Sequence, residues 1–202
     1  MSQQTENEDL KKQIFSTGIR VGTEIKTKFM TPFITKANPE GLYMLDLDIT
    51  LSRIQTAGRF VKKFDINQVL VYSGRTYCKT PIEKFCELTG AKKMLGRFMP
   101  GTLTNPSLSF YIEPQLIIIS DPRIDFQAIT EATNAGIPVI GIANTDNITS
   151  KLDLIIPANN RGRKALATVY WLLAREILQD SKAMKYEIDD FETKTAEVEE
   201  EL

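Results

Sequence analysis

The 202-residue chain has no histidine, only two cysteines and a single tryptophan. Without histidine it lacks the side chain whose unperturbed pKa best suits proton transfer near neutral pH, and most hydrolase and transferase constellations readable from sequence go with it. No catalytic residue is therefore expected. Cys78 and Cys86 fit no zinc spacing and no histidine completes a ligand set, so neither a metal nor a cofactor is expected. No run approaches the roughly 18 apolar residues of a membrane span. The first residues, MSQQTENEDLKKQ, are polar and acidic where a secretory signal is basic and then apolar, which predicts a cytoplasmic protein with reduced thiols and no membrane contact.

What is present is the balance of an ordinary globular protein, 42% hydrophobic and 25% charged. Its length suits one domain, with residues 1–17 expected as a flexible polar lead, 18–178 as an α/β body opening with an extended arm at 18–40, and 179–202 as an acidic tail. The net charge of -1 conceals a division. Residues 176–202 hold ten acidic and three basic side chains and residues 1–175 hold sixteen and twenty-two, so the body is +6 and the tail -7. A basic body suits a polyanion, and an acidic tail is a solvated or partner-seeking segment.

Short apolar runs alternate with helical patterns. Strands are expected at 41–47, 68–72, 93–98, 115–120, 138–143 and 152–156, with 115–120 apolar enough to be buried on both faces. Helices are expected after Asp48, which would cap one carrying Leu51, Ile54, Ala57, Phe60, Val61 and Phe64, then from about Pro81, over 125–135 ending at Gly136, and over 162–178. Short strand-to-helix connections imply a doubly wound α/β fold, a mostly parallel sheet with helices on both faces. In such folds the loops after the strands share one edge, where ligands bind.

Ser73-Gly74-Arg75-Thr76 lies at that edge before a helix, where backbone N–H groups favour a phosphate, although it has neither a glycine-rich run nor the lysine of a nucleotide loop. Asp46, Asp48, Asp121 and Asp146 could converge there on a magnesium ion, but caps and turns explain them more cheaply. Arg161-Gly162-Arg163-Lys164 places three cations at a helix start, against the helix dipole unless an anion is near. With Lys26, Lys28, Arg75, Lys79, Lys92, Lys93 and Arg97, these form the expected RNA contacts. Tyr170 and Trp171 read as core or interface. Residues 96–106, GRFMPGTLTNP, read as a structured loop, with Phe98, Met99, Pro100 and Leu103 expected to contact a neighbouring protein.

Taken in order, GLYMLDLDITLSRIQTAGRF at 41–60, VLVYSGRTYCKTPIEKF at 69–85, GRFMPGTLTNP at 96–106, PQLIIISDPRIDFQAITEATNAGIPVIGIANTD at 114–146 and LDLIIPANNRGRKAL at 152–166 resemble the universal small-subunit ribosomal protein two family. The likeness spans about 18–178 and is to the archaeal and eukaryotic type, the branch that includes the laminin-receptor-like ribosomal protein SA; the coiled-coil insertion of the bacterial type has no room here. It implies a non-enzymatic constituent of the small ribosomal subunit near the head–body junction and the messenger exit. Its partners would be small-subunit rRNA and neighbouring ribosomal proteins, with messenger RNA near the exit as a further candidate. Two other readings stand beside it: a phosphosugar- or nucleotide-binding enzyme using Ser73 to Thr76 with Asp46 or Asp146, and a protein-only adaptor with merely solvated basic clusters.

Overall fold

Pro39 and Gly41 interrupt the extended arm, and the chain turns back there. Asn38 N–H donates to Leu42 O at 2.7 Å and Gly41 N–H to Asn38 O at 2.9 Å. The computed structural model, which describes residues 12–178 and 185–193, thus has an antiparallel ribbon of β1 (Ile34–Ala37) and β2 (Tyr43–Leu45). The run 41–47, expected to open the parallel sheet, pairs with the arm instead. β2 ends at Leu45, so helix α1 (Leu47–Val61) starts earlier than expected and Asp46 caps it in place of Asp48, accepting from Asp48 N at 2.9 Å and Ile49 N at 3.2 Å. Such a cap contributes about 1 kcal/mol.

The remaining strands, β3 (Val69–Ser73), β4 (Lys92–Leu95), β5 (Leu116–Ile119), β6 (Val139–Ala143) and β7 (Leu154–Pro157), form an all-parallel sheet in the order β4-β3-β5-β6-β7. β4 stops at Leu95, short of the expected 98, because Gly96 turns there with φ +83°. Side chains alternate between the faces of a strand. Val69, Val71, Leu116, Ile118, Ile140, Ile142 and Ile156 meet α1, α2 (Lys79–Thr89) and α4 (Arg163–Leu178), where Ile54, Phe85, Leu166 and Tyr170 are fully buried. Leu70, Tyr72, Ile117, Ile119 and Val139 meet Ala128, Ile129 and Ala132 of α3 (Phe126–Ala135) together with Phe98 and Leu103. The doubly wound fold expected from the alternation is therefore the observed one.

Parallel neighbours need a crossover, usually a helix. On the α3 face only the β5–β6 connection is one, since 96–115 and 144–153 are built of turns. The arm compensates in part: Met30 joins Leu45 and Ala143 in a small core of its own, with Ile155 packed against it.

Ile14, in the expected flexible lead, is buried against the larger core, and so is Phe191. Trp171 Nε1 donates to Tyr186 O at 3.0 Å, and Thr193 Oγ1 to Tyr77 O at 2.9 Å. The start of the lead at 1–11, residues 179–184, and the glutamate run of the acidic tail within 194–202 lie outside the described residues. No helix among the described residues is long and apolar enough to cross a membrane.

Candidate nucleic-acid interface

All five parallel strands end on one side, and the segments that leave them carry cations: Arg75 after β3, Arg97 after β4, Arg123 beyond β5, and Arg161 beyond β7. The arm is tied to the same edge. Thr27 N–H donates to Thr145 O and Thr27 Oγ1 to Asn147 O, both at 2.9 Å, which brings exposed Lys26 and Lys28 there. Gly22 makes this approach possible, because a Cβ at that position would lie 2.5 Å from Tyr43 O and 2.5 Å from Thr145 Cγ2. Only glycine fits so close to another backbone.

The strand order reverses between β3 and β5, the crevice where doubly wound folds hold ligands. Here the chain's own side chains fill it. Arg75 donates through Nε at 2.8 Å and Nη2 at 2.5 Å to Asp121 Oδ2, while Asp121 Oδ1 accepts from Arg123 N at 3.0 Å and Asn147 Nδ2 at 3.3 Å. Gly74 N–H, one of the amides of the loop expected to favour a phosphate, donates at 2.8 Å to Asp125 Oδ1, and Asp121 N–H donates to Asp125 Oδ2 at 3.2 Å. Asp125 was expected to open helix α3. It stands before it and makes no side-chain cap bond, its carboxyl turned to the crevice. Burial pushes the Asp125 carboxyl up to about 7, against the opposing pull of those amide bonds. The ordinary-turn reading of Ser73 to Thr76 thus prevails over phosphate capture, and Arg75 offers an anion a guanidinium already paired with a buried carboxylate.

At the other end of the edge Asp146 joins two arginines, Arg123 Nη1 at 3.5 Å and Arg161 Nη2 in a shorter contact, while its Oδ1 is buried without a hydrogen-bond partner. Asn159 shapes the basic cluster behind it, its Oδ1 accepting from Arg161 N at 3.0 Å and Gly162 N at 3.3 Å. Arg163 opens α4 and Lys164 beside it is exposed. The four aspartates considered for magnesium do not converge: Asp46 is a cap, Asp48 is exposed on α1, and Asp121 and Asp146 are held by arginines. Among the described residues no group of three or more carboxylates and thiols could hold a metal ion. Burial pushes the Cys78 thiol up to about 11 and that of Cys86 to about 12, leaving both protonated and poor nucleophiles.

The other expected contacts are placed differently. Lys79 lies half-buried at the start of α2, where it lines a small cleft with Arg75, Thr76 and Gly96. Lys92 and Lys93 open β4 at the opposite end of that strand, and Lys93 Nζ pairs with Glu83 at 3.0 Å. In the 96–106 loop, Phe98 and Leu103 are buried in the chain's own core and cannot serve a neighbour, whereas Met99 and Pro100 are exposed. Glu131 holds this loop, and sequence reading missed it. Its oxygens accept from Gly101 N at 2.8 Å, Leu103 N at 3.1 Å and Gln127 Nε2 at 2.9 Å. Burial would raise its carboxyl, but these bonds outweigh burial and hold it below its ordinary value. Arg123 was missed as well, although a cation directly after Asp121-Pro122 is a legible signal.

Residues 108–180 match the family model described as ribosomal protein S2. The small ribosomal subunit protein uS2 of Nitrosopumilus maritimus is 70% identical, the alignment covering 98% of this chain and 99% of that one. The protein of the same name from Cenarchaeum symbiosum is 55% identical over 95% of each chain, and that of Thermofilum pendens 53% identical over 81% of this chain and 77% of its own.

Proposed function

Because the chain belongs to the ribosomal protein S2 family, we propose that it is a structural constituent of the small ribosomal subunit, binding small-subunit rRNA and neighbouring proteins near the head–body junction and the messenger exit. The observation that carries this reading is the 70% identity to a small ribosomal subunit protein over nearly all of both chains. The geometry agrees. Arg75, Asp121 and Asp125 fill the crevice where a phosphosugar or nucleotide enzyme of this fold would hold its ligand, which counts against that reading. The carboxyl edge instead offers cations to a phosphate backbone, of which Lys26, Lys28, Arg97, Arg161 and Lys164 are exposed. Arg163 and Lys79 extend that surface, Lys92 and Lys93 would make a separate contact, and a cytoplasmic site of action follows from the same role.

The test is sucrose-gradient fractionation of a tagged copy in cells, with the bound RNA sequenced after a moderate-salt wash. Co-migration with small subunits and their rRNA is expected. Replacing Arg161, Arg163 and Lys164 together by alanine should leave the fold intact and reduce incorporation in competition with the unaltered chain, with the residual association less steeply salt-dependent. Migration as free protein without rRNA would overturn the reading.

A further inference from the structure

Where the β6–β7 crossover lacks a helix, the α3 face of the sheet is incomplete. A cavity of about 450 Å³ opens there, between α3, the 144–153 connection and the arm. Ile129 and Leu152 line it, and three large apolar side chains stand around it in solvent: Ile25 at 68% exposure, Phe126 at 57% and Ile148 at 68%. Contiguous exposed apolar surface of this kind marks an interaction site in a soluble protein, whereas single exposed side chains mean little.

The rim is basic. Arg123 has a side chain 72% exposed, and Lys151 holds its Nζ 4.8 Å from the centre of the Phe126 ring while donating to Thr130 Oγ1 at 3.2 Å. The carboxylate that lines the cavity, Asp146, already faces both Arg123 and Arg161, so the rim keeps an excess of positive charge. An RNA base is a poor occupant, because its polar edges would lie against aliphatic side chains that offer no hydrogen bonds. An apolar side chain leaves no polar group unpaired on entering, and carboxylates beside it would meet Arg123 and Lys151.

We propose that this groove receives an apolar side chain from a neighbouring small-subunit protein, carried on a segment with acidic residues on either side of that anchor. The proposal rests on the ribosomal reading above and deepens it. The occupant takes the place of the missing crossover helix, with Phe126 and Ile148 as its main contacts and Arg123 and Lys151 setting its charge preference.

The test uses a full-length chain with a photoreactive benzoylphenylalanine at position 148, incorporated into small subunits in cells, purified and irradiated. The expected product is a cross-link to one neighbouring protein, at a segment whose apolar residue has aspartate or glutamate within three positions. A cross-link to rRNA, to a lysine- and arginine-rich segment, to residues 194–202 of the same chain or to a second copy overturns the proposal, as does no cross-link from particles that contain the chain. Absence of the chain from the particles overturns both this proposal and the ribosomal reading, and it is seen before irradiation. Paired variants separate charge from size: Ile148→Asp and Ile148→Lys both lose the apolar contact, but Asp should cost roughly tenfold more retention of that neighbour because it faces like charge. Equal losses, or a larger loss with Lys, would refute the acidic partner.

Discussion

The two faces of the sheet are covered by different means. On one, α1, α2 and α4 lay continuous apolar surface over Val69, Val71, Ile118 and Ile142. On the other, α3 stands between two turn-built connections, and an apolar cluster with Phe98, Leu103, Ile117 and Ile129 is supplemented by carboxylates and amides that hold the connections. Glu131 pins the 96–106 loop, Asp121 and Asp125 join the β3 and β5 loops, and Asn147 links Asp121 to Asn160 and to the backbone of Asn144. A helix satisfies its own backbone and needs only an apolar stripe to dock; a buried loop needs a side-chain partner for each orphaned amide. The helical face is therefore specified by volume, and the looped face by volume and buried polar partners together.

Apolar truncation on the helical face should give the largest effect. Phe85 is fully buried, with its ring 5.7 Å from that of Tyr170. Phe85→Ala should cost toward the upper end of about 3–5 kcal/mol, read as a lower urea midpoint at unchanged slope. Leu103→Ala in the looped layer should cost less, because a loop relaxes into the cavity more easily than packed helices do. Equal losses would break the comparison.

The second effect is one of pH and belongs to the looped face. Asp125 has a folded-state pKa of about 7 against an ordinary 3.8, so between these values the folded chain binds more protons than the unfolded one. Its contribution is fully present below about pH 4 and is lost as pH rises toward and through 7. At about 1.4 kcal/mol for each tenfold change in the equilibrium, the loss can reach roughly 4 kcal/mol. Chemical denaturation from pH 4 to 8 should show this slope, and Asp125→Asn should flatten it. A slope that survived the substitution would place the titrating group elsewhere.

Smaller still is Glu131→Gln, which leaves one acceptor oxygen where Gly101 N–H and Leu103 N–H now have two. The loss should be about 1–3 kcal/mol. It should be local, with faster hydrogen exchange at the 101 and 103 amides and unchanged exchange in α4.

The same contrast explains how much of the molecule was legible in the sequence. Runs such as Leu116 to Ile119, and the helical spacing of Ile54, Ala57 and Val61, state their burial outright, so the parallel sheet and its helices could be read within a few residues. The β1–β2 ribbon was overlooked because its pairing depends on the turn at 38–41, which reads equally well as a break in an arm. At the candidate site the cations were visible as clusters. What was not visible is which of them a carboxylate of the same chain already holds: Arg75 and Lys93 look the same in sequence as Lys28 does, and only the tertiary fold brings buried Asp121 to the one and the more exposed Glu83 to the other. Phe98 and Leu103 were misread for a related reason, since an apolar residue in a loop is buried by its own chain or by another, and sequence does not say which.

The smallest expected effect is the sharpest test of the open groove. Phe126 is as large as Phe85 and lies on a core helix, yet more than half of it is exposed. If the α3 face is incomplete as the missing crossover helix implies, Phe126→Ala should change the stability of the isolated protein by no more than about 0.5 kcal/mol, the range of ordinary surface substitutions. The same variant should weaken retention of the neighbouring protein in the assembled subunit. A stability loss approaching that of Phe85→Ala would mean that the arm and the 144–153 connection close over Phe126 in solution, making the groove part of the chain's own core and the two faces far more alike than their helices suggest.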